Sequence, residues 1–145
     1  MRKFEYILHD YNATKQLIQD KVSISDFDVK DVSKKLGVSV STTYSKLNGG
    51  DVMIHKDYLV LADLLNIDKN PLVEYYEFLE SFSKFIEENN LFKQLYFLGI
   101  IEKDNIGIKK RFKNPLVWKP EEIKAILNQL KNDLKASPLK EIFLD

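Results

Sequence analysis

Three punctuating residues constrain this chain more than any other feature: Asp28, Gly37 and Ser39, each beside a short apolar-periodic run. Asp28 is a strong N-cap, because its carboxylate can accept from the free N–H groups of a helix's first turn. Gly37 supplies the left-handed conformation that commonly ends a helix. Ser39 can cap a second helix, and Asn48-Gly49-Gly50-Asp51 is a strong loop signal beyond it. The spacing predicts a helix over 29–36, a tight turn at Gly37 and a helix to about residue 47, which is the helix-turn-helix arrangement. Val32, Ser33 and Leu36 are available to face the second helix, and Val38 to plug the angle between the two.

A helix turns about 100° per residue, which sorts the side chains of the second one. Thr43 and Leu47 fall toward the core, while Val40, Ser41, Tyr44, Ser45 and Asn48 share the outward face. A face of small polar groups with one tyrosine can enter a DNA major groove about 12 Å wide. Val40, Ser41, Tyr44 and Ser45 are the base-reading candidates, Val40 for a thymine methyl and the two serines for base-edge hydrogen bonds. Ser39, Thr42, Asn48, Lys30, Lys34, Lys46 and Lys56 are phosphate candidates through hydroxyl, amide or ammonium donors. Each lysine can equally belong to a solvated helix face, and Ser39 can be a cap alone. The reading face lacks arginine, glutamine and glutamate, so specificity would lean on DNA shape or dimer spacing.

LGVS (Leu36 to Ser39), Thr42 and YSKLNG (Tyr44 to Gly49), followed by LVLADLLNID (Leu59 to Asp68), resemble the Cro/C1 repressor family, also called the XRE family. The resemblance covers about residues 12–70. It departs at Ser33, where alanine is usual, at Thr43, where a larger apolar residue is usual, and at Lys46, where an apolar group is favoured. It implies an all-α domain that binds operator DNA, commonly as a homodimer.

Elsewhere the chain also reads as helices. Phe4, Ile7, Leu8 and Tyr11 follow i, i+3, i+4, i+7 spacing, and Leu17, Ile18 and Val22 extend the stripe, with Asn12 a candidate N-cap for a break within it. Further helices are expected over about 58–66, from Asn70-Pro71 to about Asn89, and from Pro120 to about Lys135, the last with proline and acids in its first turn. The expected division is a DNA-binding domain over 1–70 and a helical region over 71–145 that dimerises or senses.

In that second region Tyr75, Tyr76, Phe78, Phe82, Phe85, Phe92, Tyr96 and Phe97 form an aromatic-rich stretch. It reads as core, as a dimer interface, or as a pocket for a small-molecule, peptide or protein effector. Net charge is zero, but positive charge is segregated. Residues 74–102 carry six acids against Lys84 and Lys93, a net of −4, and residues 103–119 carry six bases against Asp104, a net of +5. Lys109, Lys110, Arg111 and Lys113, with Phe112 among them, are the dense basic cluster. It reads as a solvated loop, or as a flanking-phosphate contact from a loop or short hairpin around Asp104-Asn105-Ile106-Gly107.

The 145 residues include no cysteine, so disulfides and thiolate metal sites are excluded, which suits the cytoplasm. No stretch is apolar enough to span or anchor in a membrane. His9 and His55 are isolated, and no phosphate-binding glycine loop or nucleophile motif occurs, so neither enzyme, metal nor cofactor is expected. Double-stranded DNA is the expected partner, with a second copy of the chain. The competing reading is a protein-interaction module, antirepressor-like or antitoxin-like, that keeps the fold without the DNA.

Overall fold

A computed structural model describes residues 2–24, 28–91, 99 and 105–133, and all regular structure among them is helical. The protein is all-α. Its helices are α1 (Arg2–Ile24), α2 (Val29–Leu36), α3 (Val40–Leu47), α4 (His55–Leu65), α5 (Asn70–Glu88), α6 (Asn105–Lys113) and α7 (Pro120–Asp133), with a 3₁₀ turn at Pro115–Val117.

The α2–α3 pair follows its local signals. Asp28 accepts from Lys30 N–H, Gly37 takes φ 71°, and Ser39 accepts from Thr42 N–H. The N–H groups of Gly37 and Val38 both close onto the Ser33 carbonyl at 2.9 and 3.2 Å, which satisfies the end of α2.

Three expectations need correction. Asn12 does not break α1, because one buried stripe of Phe4, Ile7, Tyr11, Thr14, Ile18 and Val22 keeps helical phase straight through it. Asn12 faces solvent, and Leu17, counted in the stripe from sequence, is exposed while Thr14 takes its place inside. The segment Asn105–Lys113 is helix, not loop or hairpin. Phe92, Tyr96, Phe97, Asp104 and Lys135 lie outside the described residues.

The chain divides into two packing units, Asp10–Val73 and Met1–His9 with Glu74–Asp145. This differs from a cut at 70/71, because Phe4 packs its ring against Tyr75 and Phe78, at 6.5 and 5.1 Å between centroids.

In the unit of residues 10–73, α2 packs on α3 and α4 around Val32, Leu36, Thr43, Tyr58, Leu61 and Ala62, all buried. In the other unit Tyr75, Phe78, Leu79, Phe82 and Ile86 of α5 form a core with Trp118, Ile123, Ile126 and Leu127. Tyr75, Phe78 and Phe82 therefore serve as core, whereas Tyr76 and Phe85 are half-buried. Burying each large apolar side chain contributes roughly 1.5–3 kcal/mol. The Trp118 indole sits edge-on to Phe82 and donates to Ser83 Oγ, so its one polar atom is satisfied inside. Among the described residues no helix is long and apolar enough to cross a membrane.

Candidate nucleic-acid interface

The outward face of α3 is built by what the rest of the helix buries. Thr43 is fully inside, and its hydroxyl donates to the Ser39 carbonyl at 2.9 Å, so the smaller residue fits with its polar group satisfied. With Thr43 fixed inward, Val40, Ser41 and Tyr44 project to solvent, Val40 at 39% and Tyr44 at 52% exposure. Asn48 is exposed at the end of the helix. Ser45 differs from its neighbours. It is half-buried, its carbonyl accepts from Gly50 and Asp51, and a Cβ on Gly50 would lie 2.8 Å from its Oγ. Ser45 thus packs beneath the turn that follows α3, and Gly50 is the residue that lets the backbone approach.

The phosphate candidates separate in the same way. Lys30, Lys34 and Lys56 are exposed. Ser39 is also exposed, but its hydroxyl caps α3 and donates to the half-buried Thr42 Oγ1 at 2.9 Å. Lys46 is engaged elsewhere: its ammonium forms an ion pair with Asp57 Oδ2, with side-chain exposures of 11% and 3%. The same carboxylate oxygen accepts from Ile54 N–H at 2.9 Å at the start of α4. Lys46 therefore leaves the phosphate set and becomes the tie between the end of α3 and the start of α4. Sequence reasoning missed Asp57. The signal for it was Lys46 itself, since a lysine on an inward edge needs a carboxylate near it.

In the other unit the basic cluster splits. Lys109, Lys110 and Lys113 are exposed on α6. Arg111 instead donates from Nη2 to Glu122 Oε2 at 2.7 Å and from Nη1 to the Gly107 carbonyl at 2.9 Å, with its guanidinium 5.2 Å from the Trp118 ring centroid. Glu122 also accepts from Lys119 N–H at 3.0 Å, capping α7 with its other oxygen. Arg111 is thus a packing residue, not a phosphate donor.

A second group of polar side chains lies on α1 and α4 of the 10–73 unit. The Lys15 ammonium stands 5.0 and 5.1 Å from the ring centroids of Tyr11 and Tyr58. Tyr58 OH accepts from Gln19 Nε2 at 2.8 Å. Burial lowers the Lys15 pKa. Burial, then the charge of Lys15, lowers that of His55, whose ring stacks 6.3 Å from Tyr11. Burial, with Tyr58 adding to it, pushes the Tyr11 phenol up to about 12.

No family model, curated protein or solved structure matches this chain.

Proposed function

We propose that this protein is a cytoplasmic, sequence-selective DNA-binding regulator, repressor-like in action, that lays α3 in the major groove of duplex DNA. The observation that carries the reading is the face of Val40, Ser41 and Tyr44, solvent-exposed on a helix whose other side is anchored by Thr43 and by the Lys46–Asp57 pair. A rigid helix carrying a short side-chain surface is what direct readout of base edges requires. Lys30, Lys34, Lys56 and Asn48 supply donors for flanking phosphates, and Lys109, Lys110 and Lys113 offer further ones on α6. A reading face without arginine gains selectivity when two copies bind half-sites one helical turn apart, so the acting species is a homodimer. Regulation follows from occluding or recruiting at a promoter.

A second reading is a protein-interaction module of the antirepressor or antitoxin-like kind. It is favoured by one observation, that the exposed face of α3 presents a valine and a tyrosine and no charged side chain. The experiment that separates the two is selection from a random duplex pool by the full-length protein, followed by titration of the selected and unselected duplexes over a range of salt. The DNA reading expects enrichment of a defined sequence and a log K that falls linearly with log salt. Failure to retain any duplex at low salt would favour the protein-interaction reading.

A further inference from the structure

A cleft of about 610 Å³ opens in the 10–73 unit beside the end of α3. Its walls come from the second half of α1 (Lys15, Gln19, Val22), from residues 46–53, and from Tyr58. The volume is in the range of small-molecule sites, which combine apolar walls with a few converging polar groups. Val22, Leu47, Val52, Met53 and the Tyr58 ring provide the apolar part. Three charged residues line it. Lys46 is already answered by Asp57, and Asp51 is exposed on the loop. Lys15 is half-buried and meets no carboxylate among the described residues; the faces of Tyr11 and Tyr58 lie near its ammonium, and His55 is close enough to feel its charge. A half-buried ammonium without a counter-charge is costly, and a bound anion would offset that cost.

We propose that this cleft binds a small organic anion, a carboxylate or a phosphate monoester with a compact apolar body, held by Lys15. The apolar walls favour an organic ligand over a bare phosphate of the DNA backbone, which would leave them uncovered. Because Lys46, Leu47 and Asn48 form part of the wall, the bound anion touches the last turn of α3 and the loop that follows it. The site stands whether or not α3 reads DNA, so its test contains no DNA in the first arm.

The test is titration of isotope-labelled full-length protein with inorganic phosphate, benzoate and phenyl phosphate, following backbone amide shifts. Saturable shifts at Gly49, Gly50 and Val52 are expected, with benzoate or phenyl phosphate binding more tightly than inorganic phosphate. Lys15→Met should weaken that binding by about tenfold or more, equivalent to about 1.4 kcal/mol. Lys35→Met, at an exposed position away from the cleft lining, should leave it unchanged. Val52→Glu puts a negative charge at a position 82% exposed, where folding is not at stake, and should also weaken binding. No saturable shift with any of the three anions, or shifts indifferent to both Lys15→Met and Val52→Glu, would overturn the proposal. In a second arm, a selected duplex that shifts these amides when none of the anions does would assign the cleft to the DNA path and overturn the small-ligand site.

Discussion

Lys46 and Asp57 show how one pair of side chains can decide a local geometry. Removing one partner of a buried ion pair leaves the other charge without compensation and typically costs about 3 kcal/mol or more. Lys46→Met should therefore destabilise the protein by about that amount in urea unfolding. Adding Asp57→Asn should recover much of it, because the amide oxygen can still accept from Ile54 N–H while the charge is gone. Equal stability of wild type and Lys46→Met would contradict the role given to the pair. His55 carries a separate pH signature. Its pKa is lowered in the folded state, so the unfolded chain binds the proton more readily. The stability from keeping it neutral is complete above its ordinary value of 6.5 and is lost as pH falls from there toward the lowered value. Unfolding measured at about pH 7.5 and about pH 5.5 should show a decline in wild type that is smaller in His55→Gln.

At the scale of elements, α2 and α3 are the part of the chain most legible in the sequence. Their limits follow from interactions within a few residues: Asp28 with Lys30 N–H, Gly37 with Ser33, Ser39 with Thr42 N–H. Signals that depend on distant partners are not legible in this way. Asn12 resembles a cap because asparagine favours caps, but the stripe on the opposite side of α1 holds the helix in phase. Arg111 resembles its lysine neighbours in sequence, and only the fold brings Glu122 and Trp118 beside it. The cleft around Lys15 has only a faint trace, the four-residue spacing of Tyr11, Lys15 and Gln19 that sets them along one side of α1. Gly37 offers a clean test of the turn. A Cβ there meets nothing within 4 Å, so Gly37→Ala should cost only the left-handed conformation, roughly 1–2 kcal/mol in thermal or urea unfolding. On α6, changing Lys109, Lys110 and Lys113 to glutamine should make the salt slope of duplex binding shallower by up to about 0.9 for each phosphate no longer neutralised. Preference among sequences should hold. An unchanged slope would remove α6 from the interface. Arg111→Gln should instead lower stability.

At the scale of the whole molecule, the proposed DNA-reading unit of residues 10–73 shares its chain with a second helical unit built on an aromatic core. Sedimentation of the full-length chain at micromolar concentration, without DNA, should give a dimer, and a monomer would contradict the proposed acting species. The central claim is that the exposed face of α3 reads base edges. The most direct measurement compares wild type with the double variant Ser41→Ala/Tyr44→Ala on a selected duplex, an unselected duplex and in thermal unfolding. Both positions are exposed, so the melting midpoint should hardly move. Affinity for the selected duplex should fall by about 1–3 kcal/mol for each good base-edge interaction removed, while affinity for unselected DNA stays nearly constant. A double variant that melts like wild type and still binds the selected duplex as tightly would contradict the claim that α3 reads the sequence.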